Sequence, residues 1–416
     1  MKIAVIGGGI SGMLSAWMLR EHHDLTLFES GSYLGGHTHT HDIQASGQTW
    51  PVDTGFIVYN DKTYPNFIKF LKRLGVSGRP TTMSFSVKSD SDDLEYNGTS
   101  INSFFAQRRN LVRPKFWRMV WGIHEFNTAC KDLLTRPPTE ETLGEFTRRH
   151  GFPAELEIYY VRPMVGAVWS AGTGRVGEMP IHFLARFFDN HGFLNINDRP
   201  QWYTVRGGSR AYVDKIRGDL GERSRLNSAV CGVSRENNRF VIKLADGPSV
   251  AFDQVIFACH SDVALSLLQD PSREERDILG AMPFVSNGVC LHTDVSVMPK
   301  RKLAWAAWNY NLFDRNAESV SVTYNMNILQ GHDCETQFLV SLNCESHIDP
   351  AKMIKILQYR HPVYSVSSTR AQARHHEISG VRGTHYCGAY WANGFHEDGV
   401  VSALRVVKAI EPGLEL

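Results

Sequence analysis

The chain has 416 residues, 42% of them hydrophobic and 21% charged, with a formal net charge of +1. That length suggests two or three domain-sized units of about 150 residues each, and the charge excludes the basic excess that tracks phosphate backbones, so no nucleic-acid partner is expected. The seven cysteines are scattered, odd in number and without a C-x-x-C pair, which speaks against a disulfide framework or zinc site and for reduced thiols in a cytoplasmic protein.

Lys2 is followed by a largely apolar run to Leu19, but Gly7, Gly8, Gly9 and Gly12 interrupt it, and Arg20 and Glu21 follow without a small-residue cleavage pattern. Neither a secretory signal nor a membrane helix is expected there. No later stretch approaches 18 uninterrupted apolar residues. The run reads instead as a βαβ unit: a buried strand over 3–6, a glycine turn, a helix over about 11–21 and a strand over 25–29.

Gly7, Gly9 and Gly12 form G-x-G-x-x-G between strand and helix. The first glycine permits the tight turn, the second lets backbone approach a pyrophosphate, and the third lets helix pack on strand. Ile10 and Ser11 open the helix, whose free amides and partial positive charge suit phosphates. Glu29, followed by Ser30, ends the second strand, where a carboxylate accepts hydrogen bonds from a ribose diol and repels a 2′-phosphate. A dinucleotide site is therefore expected. His37, His39 and His41 would share one face of an extended strand, but no further ligand set accompanies them, and no metal is expected.

Farther along, the segment 104–121 carries Arg108, Arg109, Arg113, Lys115 and Arg118 among aromatics, with no acid between Glu95 and Glu125. Such interleaving suits the interfacial zone of an anionic bilayer; a solvated helix with aromatics packed inward is the equal alternative. "SAVCGVSRENNRFVIKLADGPSVAFDQVIFAC" alternates like paired strands joined at Asn237-Asn238 and Asp246-Gly247. "WAAWNY" (305–310) and "TYNMN" (323–327) read as core, with substrate lining the second reading. Near the end, "YWANGFHEDG" (390–399) gathers aromatics, an imidazole and two carboxylates.

"SGSYLGGHTHTH" places a second glycine pair, Gly35 and Gly36, just after the acidic strand. This resembles the extended signature of the FAD-binding superfamily of flavin amine oxidases, phytoene-type desaturases and protoporphyrinogen oxidases. There an Arg usually follows and contacts the cofactor phosphates; here His37 and Thr38 stand in that place, implying a weaker or pH-dependent contact. "PVDTGFIVY" is similar to the segment that passes the flavin ring, with Gly55 and Phe56 against it. "TVRGGSRAYVDKI" resembles the glycine pair that opens a helix, and Val230 takes the place that presents backbone to adenine. In the closing segment, the resemblance implies contacts from Gly388 and from a helix starting near Gly399, with Asp398, Gly399 and Val400 toward the flavin.

"GGHTHT", "VDTGFIVYN", "VRGGSRAYV", "LHTD", "LQGHD" and "GFHEDG" resemble a subgroup of predicted NAD/FAD-binding proteins, some linked to modification of unsaturated or methylated fatty acyl chains. The resemblance implies an amine-oxidase-like α/β fold. A discontinuous Rossmann-like FAD-binding domain (1–75, 203–265 and 372–416) would carry an inserted α+β substrate or cap domain (76–202 and 266–371). No second G-x-G-x-x-G marks a nicotinamide domain, so electrons would leave through oxygen or a partner. Cys387 is not in a flavin-attachment context, which favours non-covalent FAD.

In amine oxidases a substrate-facing Tyr precedes the final helix glycine by three residues, where His396 stands here, and the lysine bridged to flavin N5 is missing from 286–294. Both departures speak against amine oxidation. The expected reaction is hydride transfer to flavin N5 from an allylic carbon, desaturating or isomerising an unsaturated or modified lipid acyl chain. His396, with an ordinary pKa of about 6.5, is the candidate base, oriented by Glu397 or Asp398, and Tyr390 with Trp391 would wall the pocket. A peroxide-releasing amine oxidase and a non-catalytic FAD-stabilised binding protein remain as alternatives. A cytoplasmic protein with peripheral contact at the inner membrane face through 104–121 is expected.

Overall fold

The structure is a computed structural model describing residues 1–169, 176–195, 200–313 and 321–416. Strand Lys2–Ile6 lies at the centre of a five-stranded parallel sheet between Asp24–Phe28 and Gln254–Phe257, with Ser224–Arg225 and Thr384–Tyr386 at the edges. A parallel strand covered on both faces needs an unbroken apolar run rather than alternation, and Ile3, Ala4 and Val5 are fully buried. Helix Ile10–Leu19 is buried along its whole length and packs against the closing helix His396–Ile410.

The antiparallel strands Val230–Glu236, Arg239–Leu244 and Val250–Phe252 form a separate meander. Asn237 and Asn238 both take left-handed backbone (φ 48° and 60°) at its first turn, the conformation that suits a two-residue hairpin loop.

A seven-stranded sheet runs in the order Met353–Pro362, Phe284–His292, Leu339–Leu342, Ser321–Asn325, Trp308–Leu312, Phe85–Ser89, Leu94–Asn97. Its pairs are antiparallel except Trp308–Leu312 on Phe85–Ser89, which joins two distant chain segments in parallel. Helices Pro114–Leu134, Leu143–His150, Arg162–Trp169 and Ile181–Asn190 share a second apolar core around Phe126, Phe146 and Phe188. No helix among the described residues is long and apolar enough to cross a membrane.

Asp53 belongs to a buried joint. Its carboxylate accepts from Ser209 N (3.0 Å), Ser209 Oγ (2.7 Å), Gln330 Nε2 (3.0 Å) and Thr40 Oγ1. It thereby ties the hairpin Thr40–Ala45/Gln48–Asp53 to the start of helix Arg210–Leu220 and to helix Met326–Gln330. Burial pushes its pKa up to about 6.

Candidate functional site

A cavity of about 550 Å³ opens at the glycine loop and runs beneath the seven-stranded sheet. Its first wall is the βαβ turn: Gly7, Gly9, Ile10 and Ser11 on one side, Glu29, Ser30 and Val230 on the other. A Cβ built on Gly9 meets no protein atom within 4 Å, so the loop leaves room for a ligand, whereas one on Gly12 would sit 1.9 Å from Gly7 O. Gly12 thus serves helix–strand packing and does not line the cavity. No side chain caps the helix at Gly9 and no acid occupies its first turn, which leaves its amides for an anion. Backbone amides of Gly8 (2.8 Å) and Gly31 (2.7 Å) fix the Glu29 carboxylate in the wall; Oε1 also accepts from Ser30 Oγ (3.2 Å), and Oε2 keeps a further lone pair for a diol.

The middle of the wall is formed by Gly35, Gly36, His37, Gly55 and Phe56. The His37 ring faces His361 (centroids 5.3 Å apart), Tyr359 (5.1 Å) and His260 (6.2 Å), and its Nε2 is buried without a hydrogen-bond partner. Burial pushes His37 down, against a backbone hydrogen bond at Arg360 that raises it, and pushes His260 to about 4 and His361 to about 3, these two helped by the neighbouring imidazoles. His260 and His361 carry no local motif and are brought to His37 only by the fold. His39 turns away, its Nδ1 sharing a hydrogen bond with Tyr359 Oη (2.9 Å).

At the far end the wall consists of Gly388, Tyr390, Phe395 and His396. Tyr390 is buried, with its hydroxyl pushed well above the ordinary range by burial. His396 lies flat on Phe56 and shares a hydrogen bond through Nε2 with Tyr212 Oη (2.7 Å), with Thr38 Oγ1 at 3.2 Å. Burial pushes its pKa down to about 3. The ordinary imidazole pKa on which its reading as a base rested is therefore absent, and its Nε2 is engaged by Tyr212.

The closing helix begins at His396, three residues before the start expected near Gly399, because the Asp398 carboxylate accepts from Phe395 N (2.9 Å) and closes the first turn. Asp398, Gly399 and Val400 consequently lie behind the cavity wall. Gly399 O accepts from Ser11 Oγ (2.8 Å), and Val400 is fully buried against the first helix. Thr38 also stands behind the wall, hydrogen-bonded to Tyr212. Glu397 does not orient His396: it accepts from Asn66 N (3.0 Å) and Phe67 N (2.8 Å) at the start of helix Pro65–Arg73.

The remaining half is apolar, walled by Val58, Ala167, Phe187, Val289, Trp308 and Tyr324. Trp308 and Tyr324, read from sequence chiefly as core, are wall residues; Tyr310 and Met326 beside them are core. Among the described residues the ionic side chains of the wall are Glu29 and Arg360, both outside this half, and Arg360 is paired with Asp262.

These residues fit a flavin dinucleotide. The uncapped helix start and the room at Gly9 suit a diphosphate, Glu29 a ribose, and the aromatic end beyond Gly388 a flat ring. The family of flavin containing amine oxidoreductases matches residues 10–322. The chain belongs to this family. It is an FAD-dependent oxidoreductase with the amine-oxidase fold. Solved structures of the same fold include a CLA-producing fatty acid isomerase from P. acnes (TM-score 0.70, 15% identity, 98% of each chain). They also include cyclohexylamine oxidase from Brevibacterium oxydans IH-35A (0.71, 13%, 98% of each) and putrescine oxidase bound to putrescine (0.69, 13%, 99% of each). The carotenoid phi-ring synthase of Chlorobaculum tepidum is 41% identical over 64 residues, which span 15% of this chain and 10% of that protein.

Proposed function

We propose that the enzyme acts on an unsaturated or modified lipid acyl chain, isomerising it in preference to desaturating it, with FAD held non-covalently. The observation that carries this reading is the apolar half of the cavity, whose wall holds no ionic side chain among the described residues. A protonated amine placed there would be desolvated without a counter-ion, at a cost of several kcal/mol, whereas an acyl chain is stabilised by about 0.8 kcal/mol per buried CH₂.

Gly9, Ile10 and Ser11 would hold the FAD diphosphate through backbone amides, with His37 beside it, Glu29 the ribose, and Gly388 and Phe56 the flavin end. When bound, FAD supplies a two-electron acceptor for hydride. Trp308, Tyr324 and Phe187 orient the chain and exclude water. The aromatic faces of Tyr390 and Phe56 favour a cation-like carbon near them. Desaturation loses a hydride and a proton, so it needs a base; isomerisation returns the hydride to another carbon and needs none. His396 is pushed to about 3, and His191, on the wall by Phe187, to about 4. Neither is a competent base near neutrality, which supports hydride return. For cofactor attachment, Cys259 in the wall and Cys387 behind it are both pushed up to about 12 by burial, leaving little thiolate to form a bond.

The test is an absorption spectrum of the purified enzyme, acid release of its flavin, and anaerobic incubation with unsaturated phospholipids followed by double-bond analysis. Free FAD in the supernatant and a shifted double bond are expected. No acyl change with any unsaturated lipid, together with peroxide release on amines, would overturn the reading in favour of amine oxidation.

A further inference from the structure

The three large apolar side chains most open to solvent among the described residues fall in one stretch, with two more beside them. Ile101 is 82% exposed, Val112 81%, Trp121 64%, Leu111 50% and Trp117 47%. They stand on helix Ile101–Phe104, the turn Arg108–Val112 and helix Pro114–Leu134. A segment two hundred residues later joins the same face. The turn Lys302–Ala304 packs on helix Ile101–Phe104 and strand Leu94–Asn97, bringing exposed Leu303 together with Lys300, Arg301 and Lys302.

Ions of both signs lie at this face, with cations in excess. Arg109 pairs with Asp93, Arg118 with Glu155, Arg301 with Glu95 and Lys300 with Asp90. The Arg113 guanidinium sits on the carbonyls of Asp92 and Asp93, and Arg108 on those of Asn102 and Phe105. Lys115 and Lys302 add two further charges. With Asp92 beside Arg113 and Lys115, eight cations thus face five carboxylates around a ridge of exposed Trp, Leu, Ile and Val. Apolar side chains ringed by an excess of Lys and Arg match the acyl boundary and anionic headgroups of a bilayer. The Trp117 indole, hydrogen-bonded to Leu111 O (2.9 Å), is the amphipathic ring favoured at that depth.

The inner face of helix Pro114–Leu134 buries Phe126, Cys130 and Leu133 against helix Ile181–Asn190, which gives Phe187 to the apolar half of the cavity, and Phe116 and Met119 in the core shared with the wall residues Ala167, Val289 and Tyr324. The outer ridge is therefore separated from the substrate chamber by the buried face of its own helix and the core that Phe116 and Met119 share with the chamber wall.

We propose that this composite face, built from residues 101–121 and 300–303, docks the enzyme on an anionic lipid bilayer, with the substrate chamber on the inner side of helix Pro114–Leu134. The purpose of docking rests on the lipid reading of the cavity; the docking itself does not, and its test uses no turnover. Flavin-loaded full-length protein is sedimented with phosphatidylcholine vesicles with and without phosphatidylglycerol. Co-sedimentation with the anionic vesicles is expected, with release in 1 M salt, where the screening length falls to about 3 Å. The double variant Val112→Glu/Trp121→Glu changes only exposed positions and should retain its flavin spectrum while binding falls about tenfold or more. Absence of binding to anionic vesicles, equal binding to uncharged ones, or unchanged binding by the double variant overturns the proposal. So does a dimer in solution that the double variant dissociates, which would assign the ridge to a second copy of the chain. Vesicle binding without acyl turnover would leave the docking intact and sink the substrate reading alone.

Discussion

His396 and Phe56 lie face to face, ring centroids 3.6 Å apart and 7° from parallel, with Tyr212 Oη 2.7 Å from the imidazole Nε2. This arrangement joins the last helix to the loop after the Gln48–Asp53 strand and makes the imidazole part of the wall. Replacing His396 by Gln should leave the flavin bound and lower turnover by less than about tenfold, against the 10²–10⁴-fold expected for loss of a general base. The pH profile of kcat should show no ionisation near 6.5 that disappears in the variant. A loss beyond about a hundredfold with an altered profile would return His396 to proton transfer.

Asp398 should shape stability against pH. Its carboxyl rises from 3.8 to about 7, first through burial and then through Glu397 beside it. A folded pKa above the unfolded value means that the folded state holds the proton more tightly. The contribution is full below about pH 4 and is lost as pH rises toward 7. Asp398→Asn keeps an acceptor for Phe395 N but cannot ionise, so its Tm should fall less between pH 4 and 7 than that of the natural protein. Parallel Tm curves would refute the assignment.

His37, His260 and His361 are held neutral by burial, His260 and His361 also by the neighbouring imidazoles. A diphosphate placed beside them would favour protonation, so binding takes up a proton and tightens as pH falls, by up to tenfold per unit for each proton taken up. Fluorescence titration of deflavinated protein with FAD should show this dependence, and His37→Leu should weaken it. A Kd independent of pH between 5 and 8 would exclude the cluster from diphosphate binding.

Ala167 is 2% exposed and lines the apolar chamber from helix Arg162–Trp169. Ala167→Phe should shorten the space available to an acyl chain, raising KM for long chains several-fold while sparing short ones, with about 1–3 kcal/mol of overpacking. The flavin spectrum should stay unchanged. Equal effects on long and short chains would place the substrate elsewhere.

What could be read from the sequence was local. The apolar strand at 3–6, the glycines, Glu29 and the Asn237-Asn238 turn act through neighbours in the chain, and the fold keeps each where the spacing puts it. His260 and His361 could not be read, because they reach His37 only through a strand end and a helix approach more than two hundred residues away. The parallel pairing of Phe85–Ser89 with Trp308–Leu312 escaped for the same reason. Asp53 is instructive in the opposite sense. The "DTGF" motif marked the right place, yet the carboxylate secures three elements behind the wall while Gly55 and Phe56 form the wall itself. At Asp398 the usable signal was an acid three residues after Phe395, which moves the helix start and draws 398–400 off the surface of the cavity.

The hydrogen bond from Ser11 Oγ to Gly399 O spans almost the whole chain. The loop at Gly9 is synthesised hundreds of residues before the opposite wall at Gly388 and His396. A nascent or truncated chain lacking residues 388–399 carries the phosphate-binding turn without the floor beneath the ring. The flavin site is therefore complete only when residues 388–399 have packed against the N-terminal loop.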